Sequence, residues 1–287
     1  MLYNSIVFLL RLRFKILSTF STTKAASVAF DLFSKPFVRV KRSLTEPIFK
    51  QAVAMDRQSG GLFIKGFKWV GTTNRKALLV HGFQGDSGSL ARFYTTPLLE
   101  KGYTVLAFDA PAHGLSEGNR SNIIQYANLI KEILAENPEV EIVIAHSFGC
   151  PCTAYALEQI GTAHQRIKVA MIAPAPKAKS QLLKFAGILG LSNKVIEEMY
   201  AIALKKGGKP IEWFSLNRFI SSLNAEILII HDQKDDICPF EDSLEIANAH
   251  YANISFVPTI GLGHSQIYKE ESTVSTVMEY FGAIRLK

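Results

Sequence analysis

The chain has 287 residues, 48% of them hydrophobic, which is long enough for one large α/β domain with a sizeable core and at most a small accessory element. Its net charge of +7 is not gathered into long Lys/Arg blocks through the body of the sequence, which describes a solvated surface and argues against a nucleic-acid partner. Three cysteines, Cys150, Cys152 and Cys238, are an odd number without C-x-x-C spacing, so neither a disulfide framework nor a zinc site is suggested and a reducing, cytoplasmic compartment is expected.

Residues 1–45 form a distinct basic and apolar segment. Within residues 1–30 stand Arg11, Arg13, Lys15 and Lys24 and no acidic residue. The apolar run from Ile6 to Leu10 is far too short to span a bilayer, and the charges follow it instead of preceding it as in a signal peptide. A helix packed on the body of the protein is expected, with peripheral contact to a membrane surface as the alternative.

From residue 62 onward, short and nearly continuous apolar runs alternate with helical spacings. "KALLVHGF" (76–83), "YTVLAFDAP" (103–111), "VEIVIAHS" (140–147), "RIKVAMIAP" (166–174), "AEILIIHD" (225–232) and "ISFVPT" (254–259) have the composition of strands buried on both faces. Ile123, Ala127, Ile130 and Leu134 recur at helical spacing, as do Val274, Val277, Met278 and Phe281. This alternation predicts an α/β domain over residues 46–287, with a mostly parallel central sheet and helices on both faces. The long interruption at about 175–213 contains "LLKFAGILG" and "VIEEMYAIAL", which predict two amphipathic helices with Gly187, Gly190, Gly207 and Gly208 as bend points. Such an insert is expected to act as a small helical lid.

The run "EVEIVIAHSFGCPC" (139–152) ends a strand abruptly at a serine. If Ser147 sits on a sharp turn between a buried strand and a helix, the residues two before and two after it must be small, and Ala145 and Gly149 are. The helix beginning there offers unpaired amides and a positive dipole end, suited to developing negative charge. A serine hydroxyl needs a base to take its proton, and the base needs a carboxylate to hold its tautomer. "TIGLGHSQIY" (259–268) supplies His264 after a predicted strand. "LIIHDQKDDICPFED" (228–242) supplies Asp235 as the best placed carboxylate, with Asp232 and Asp236 beside it.

The order Ser, Asp, His, each at a different strand end, together with "HGFQGD" (81–86), "FDAPAHGLSEG" (108–118), "AHSFG" (145–149) and the pair "HDQKDDICP" and "GLGHS", resembles the α/β-hydrolase fold family over roughly residues 50–285. The combination is most similar to bacterial serine hydrolases with a short lid. The resemblance implies Ser147 as nucleophile, His264 as base and Asp235 as acid, because "HDQKD" aligns on the family's H-G-x-x-D, with Asp232 where that pattern has glycine. It also implies that the amides of Phe83 and Phe148 form the oxyanion hole, so that both phenyl rings line the substrate pocket and favour an apolar acyl part. The expected reaction is hydrolysis of a carboxylic ester or thioester through an acyl-enzyme, without cofactor or metal. An acyltransferase using the same triad, or a non-catalytic binding protein on the same fold, is the alternative. A small-molecule acyl substrate is the expected partner; oligomeric state is not legible.

The remaining candidates have structural readings. His81 and His146 are expected to brace loops, and Asp109, His113 and Ser116 to tie the turn after their strand. A metal site built from His231, Asp232, Asp235 and His264 has wider spacing than metal ligands normally show and would leave the serine turn unexplained. The three cysteines are expected to be buried and inert.

Overall fold

A computed structural model describes residues 2–282, with side chains except those of residues 2–4 and 163–165; residue 1 and residues 283–287, the ends of the two predicted segments, lie outside the described residues. The chain forms two compact units, Met1–Lys35 with Lys177–Ser215, and Pro36–Pro176 with Leu216–Lys287.

The first unit is helical. α1 (Leu2–Phe20) ends at Ser21, whose hydroxyl caps α2 (Thr22–Phe33) by accepting from the Lys24 amide at 3.1 Å. In the larger unit, four short strands come first: β1 (Val53–Ala54), β2 (Arg57–Ser59), β3 (Leu62–Ile64) and β4 (Gly66–Trp69). Then follow β5 (Lys76–Val80), α3 (Gly88–Glu100), β6 (Thr104–Phe108), α4 (Ile123–Glu136), β7 (Val140–His146), α5 (Gly149–Gln159) and β8 (Lys168–Ile172). The chain returns to the helical unit for α6 (Ala178–Leu189) and α7 (Asn193–Gly207). It closes in the larger one with α8 (Leu216–Ile220), β9 (Ile227–Asp232), α9 (Phe240–Asn248), β10 (Ile254–Thr259), α10 (Gly263–Gln266) and α11 (Glu271–Gly282).

Eight strands form one sheet in the order β1-β4-β6-β5-β7-β8-β9-β10, in which β4 alone runs against the others, pairing antiparallel with both β1 and β6. The predicted apolar runs are β5–β10: β5–β9 are interior and almost wholly buried, whereas β10 is the edge strand and only partly buried, so burial on both faces does not hold for it. β5 and β6 stop three residues short of the predicted ends, and just beyond them the side chains of His81 and Asp109 accept from loop amides. No strand is expected before Lys76, yet β1–β4 precede it. They are two to four residues long, too short for a periodicity to register. Tight packing pins β4: a Cβ on Gly66 would sit 2.3 Å from the Met55 carbonyl oxygen and 2.4 Å from the Phe108 ring.

On one face of the sheet Leu79, Val105, Ile142, Ile144, Ile172 and Ile230 pack with Leu90, Tyr94 and Leu98 of α3 and Val277 and Phe281 of α11. Alternate residues of the same strands face the other way, which is why the runs are apolar throughout. The helical unit has its own core, in which Phe14 of α1 and Ala25, Ala26 and Ala29 of α2 meet Leu182, Leu189, Val195 and Met199 of α6 and α7. The alanines let α2 lie close along α7. The partners of the N-terminal helices within this unit are thus the helices of the insert. Gly190 (φ 64°) and Gly208 (φ 69°) end α6 and α7 in the left-handed region, whereas Gly187 and Gly207 stay within the helices.

Candidate active site

Ser147 follows the last residue of β7 and has φ 52°, a left-handed conformation that costs a non-glycine residue about 1–2 kcal/mol. Three backbone hydrogen bonds hold it there: its amide donates to Ile172 O at 3.0 Å, and its carbonyl accepts from Cys150 N at 3.0 Å and Ala175 N at 3.3 Å. Ala145, two residues earlier, is fully buried and pairs in register with Val80 and Met171, so the strand accommodates its methyl group. Gly149 has no such room. A Cβ there would stand 2.8 Å from the carbonyl oxygens of both Val80 and His81. Gly149→Ala is therefore expected to destabilise the protein by about 1–3 kcal/mol and to displace the serine; urea unfolding at the wild-type midpoint would refute this.

From this turn the hydrogen-bonded chain Ser147–His264–Asp235 runs across three strand ends. Ser147 Oγ lies 2.9 Å from His264 Nε2, and His264 Nδ1 lies 2.7 Å from Asp235 Oδ2. With its Nδ1–H donated to the carboxylate, the imidazole presents a bare Nε2 to the hydroxyl. Asp235 Oδ1 accepts from the amides of Ile237 and Cys238, both at 2.8 Å. Burial alone would raise the Asp235 pKa, but hydrogen bonds from His231 and His264, the charge of His264 and the Cys238 amide hold it well below the usual carboxylate range.

Of the three neighbouring carboxylates, Asp235 is the one that meets His264. Asp232 is buried and turned into the loop after β10: it accepts from Thr259 Oγ1 at 2.8 Å, Leu262 N at 3.0 Å, Lys234 N at 2.9 Å and Gly261 N at 3.2 Å. Against the cost of burial, these donors, led by the Leu262 amide and the Thr259 hydroxyl, lower its pKa to about 2. It therefore shapes the segment that carries His264. Asp236 is exposed.

Two residues meet the triad in ways that the sequence does not announce. His231 Nε2 lies 3.2 Å from Asp235 Oδ2 and 3.1 Å from Cys238 O, so it carries the proton and donates, while its Nδ1 accepts from Ser243 Oγ at 2.7 Å. A nitrogen so protonated is not a metal ligand, and among the described residues no three His, Cys, Asp or Glu side chains are arranged to hold a metal ion. Cys238 is buried with its Sγ 4.0 Å from Ser147 Oγ, a contact with the hydroxyl itself that spacing does not announce. Cys150 and Cys152 lie in α5, where burial pushes their thiols up and keeps them unreactive.

Gly82 brings the loop after β5 against the serine: a Cβ on it would lie 2.9 Å from both Ser147 Cβ and His146 Nδ1. The half-buried rings of Phe83 and Phe148 meet edge to face at 5.5 Å, with His113 and Tyr126 beyond them. Among the described residues neither the Phe83 nor the Phe148 amide has a hydrogen-bond acceptor.

The other histidines brace this surface. His81 Nδ1 donates to Gly82 O at 2.8 Å and its Nε2 accepts from Ala110 N at 2.9 Å; His146 Nε2 donates to His264 O at 3.1 Å. The turn after β6 differs from expectation in one member. Asp109 accepts from Ser87 N and Leu115 N, both at 2.8 Å, and Ser116 Oγ donates to Asp109 O at 2.7 Å, but His113 bonds to Pro111 O instead of joining Asp109.

Burial, reinforced by neighbouring imidazoles, lowers both His113 and His146 to about 3. In the unfolded chain they titrate near 6.5. Folded-state values below unfolded ones mean stability is fully present above about pH 6.5 and lost as pH falls toward 3, at about 1.4 kcal/mol per unit for each group. Together they should remove about 4 kcal/mol by pH 5. Equal urea midpoints at pH 5 and 7.5 would contradict this.

Residues 77–254 match the alpha/beta hydrolase family. Among curated proteins, the chain is similar to two Arabidopsis thaliana proteins named as candidate chloroplastic methylesterases. It is 28% identical to number 13 over 198 residues (67% of this chain, 42% of that protein) and 32% identical to number 15 over 124 residues (41% and 26%). The chain thus spans less than half the length of either relative. Among solved structures, a Pyrococcus furiosus esterase superposes with a TM-score of 0.60 at 19% identity, covering 87% of this chain and 97% of that one. Est1E of Butyrivibrio proteoclasticus, solved with ferulic acid bound, gives 0.63 at 18% identity, covering 79% and 98%. At such identities these two structures share the fold. With the family's pattern running from residue 77 to residue 254, well over half its length, the chain belongs to the alpha/beta hydrolase family.

Proposed function

We propose that the protein is a serine esterase that cleaves a small carboxylic ester with an apolar acyl part. The observation that carries this reading is the unbroken hydrogen-bonded chain from Ser147 Oγ through His264 to Asp235, at 2.9 and 2.7 Å. In this mechanism His264 Nε2 takes the hydroxyl proton as Oγ attacks the ester carbonyl, and Asp235 stabilises the resulting imidazolium. The carbonyl π electrons move onto oxygen, where the free amides of Phe83 and Phe148 stabilise the oxyanion. Collapse expels the alcohol, which takes the proton from His264, and leaves an acyl group on Ser147. Water, deprotonated by the same nitrogen, releases the acid. The apolar rings of Phe83 and Phe148 favour a hydrocarbon acyl chain, and the methylesterase names of two relatives point to a small alcohol portion.

The test is a screen of p-nitrophenyl esters, methyl esters and acyl-thioesters of increasing chain length, with fluorophosphonate labelling in parallel. Saturable hydrolysis with one labelled serine is expected, strongest for short to medium apolar acyl groups. Absence of both turnover and labelling would overturn the reading, and diversion of product into new esters by added alcohol would make the enzyme an acyltransferase.

A further inference from the structure

The helical unit carries a charge that the whole-chain balance conceals. Residues 1–35 and 177–215 contain 12 Lys and Arg against 4 Asp and Glu, whereas the chain as a whole has 32 against 25. The unit is therefore strongly basic and the remainder is close to neutral. No Lys/Arg block announces this, because folding gathers residues from two distant segments into one unit.

The same unit exposes an apolar helix face. Phe14 of α1 is buried, and Leu10 and Leu17 pack beside it against the unit's core. On the opposite side Phe8, Leu12, Ile16 and Phe20 follow at four-residue spacing with Leu9 beside them, and all five are between 46% and 85% exposed. Isolated exposed apolar residues are ordinary, but a contiguous stripe of five along one helix is not. By helical phase Lys15 borders the stripe on one side and Arg13 on the other; both are exposed, as is Arg11, whose Nε donates to Ile188 O at 2.8 Å. Among the described residues no helix is long and apolar enough to cross a membrane.

We infer that the helical unit docks on an anionic lipid bilayer, with α1 lying in the plane of the interface. The inner face of α1 holds the unit together while the outer stripe enters the acyl boundary, and Arg13 and Lys15 stay at headgroup level. Charge complementarity selects the occupant: a basic rim around a bare hydrocarbon face suits anionic headgroups above an acyl layer, whereas a second copy of the same unit would set like charges against each other.

The experiment is co-sedimentation of the full-length protein with phosphatidylserine–phosphatidylcholine vesicles and with phosphatidylcholine vesicles alone, at low and high salt. Wild type is expected to pellet with the anionic vesicles and to be released several-fold by salt. Leu12→Gln with Ile16→Gln should reduce pelleting to the vesicle-free background. Arg13→Gln with Lys15→Gln should weaken partitioning roughly fivefold per charge and flatten the salt dependence. All these side chains face outward, so both variants should melt with wild type. Wild type that stays in the supernatant, or an apolar variant that pellets like wild type, overturns the inference. So does light scattering that shows a wild-type dimer turned monomeric by Leu12→Gln with Ile16→Gln, because the stripe is then a contact between copies.

Discussion

Ser147→Ala is expected to lower kcat for activated esters by about 10⁶, the scale of loss when the serine of an unrelated triad enzyme is removed. Without Oγ no acyl-enzyme forms, and His264 is left with an acceptor nitrogen and no nucleophile to deprotonate. What survives is the contribution of the oxyanion donors and of binding, worth about 10³–10⁴ over water in that other enzyme. The fold should not suffer, since alanine meets the same left-handed backbone at φ 52° as the serine it replaces, and the three backbone hydrogen bonds around position 147 do not use the side chain. The measurement is paired: steady-state hydrolysis with fluorophosphonate labelling, and urea unfolding. A folded mutant that is still labelled would remove Ser147 from the proposed mechanism, whereas an unfolded one would show that the turn needs the hydroxyl.

The serine turn was readable because its constraint is local. A strand that must be apolar on both faces runs into a bend where a Cβ two residues on would strike the Val80 and His81 carbonyls, so Gly149 appears in the sequence as a necessity. His264 and Asp235 were readable from their places after apolar runs. The choice among Asp232, Asp235 and Asp236 was weaker, because it depends on which carboxylate the loop amides of Ile237 and Cys238 turn toward the histidine. His231 stands in the "HDQKD" motif, but nothing in the spacing tells that its Nε2 meets Asp235, and Ser243 of α9, which holds the other nitrogen of that ring, belongs to no motif. The thiol of Cys238 beside the hydroxyl was likewise invisible, since burial predicts an inert thiol wherever it points.

The N-terminal helices show a different limit. Their apolar residues at helical spacing predict burial of a face but not the surface that receives it, and the receiving helices lie far along the chain, in the insert. Two short segments that each read as mildly basic become one strongly basic unit only when the chain brings them together. The strands before Lys76 fall below the length at which alternation can be counted. Of these, β4 alone lies beside β6, where packing leaves no room for a Cβ at Gly66.

The three aspartates after β9 supply the second large expected effect. In Asp235→Asn the side-chain oxygen should remain where Oδ1 accepts the Ile237 and Cys238 amides at 2.8 Å, because an NH₂ group there would face two donors. That choice puts the NH₂ in place of Oδ2, directed at His264 Nδ1 and at the Nε2–H of His231. His264 can then be hydrogen-bonded only as the tautomer with its proton on Nε2, which points a donor at Ser147 and removes the base. The loss in kcat should be about 10⁴, as for the corresponding change in another serine enzyme, with His264 still in place. Asp232→Asn should behave differently. Its four donors cannot all be met by an amide, so one buried group is left unpaired at a cost of about 1–3 kcal/mol in stability, while the folded fraction keeps most of its activity. Asp236, exposed, should tolerate the change in both measurements. Kinetics normalised to the folded fraction separate the cases: a larger loss of kcat in Asp232→Asn than in Asp235→Asn would move the orienting role from the carboxylate at 2.7 Å from His264 to the one bound into the loop after β10.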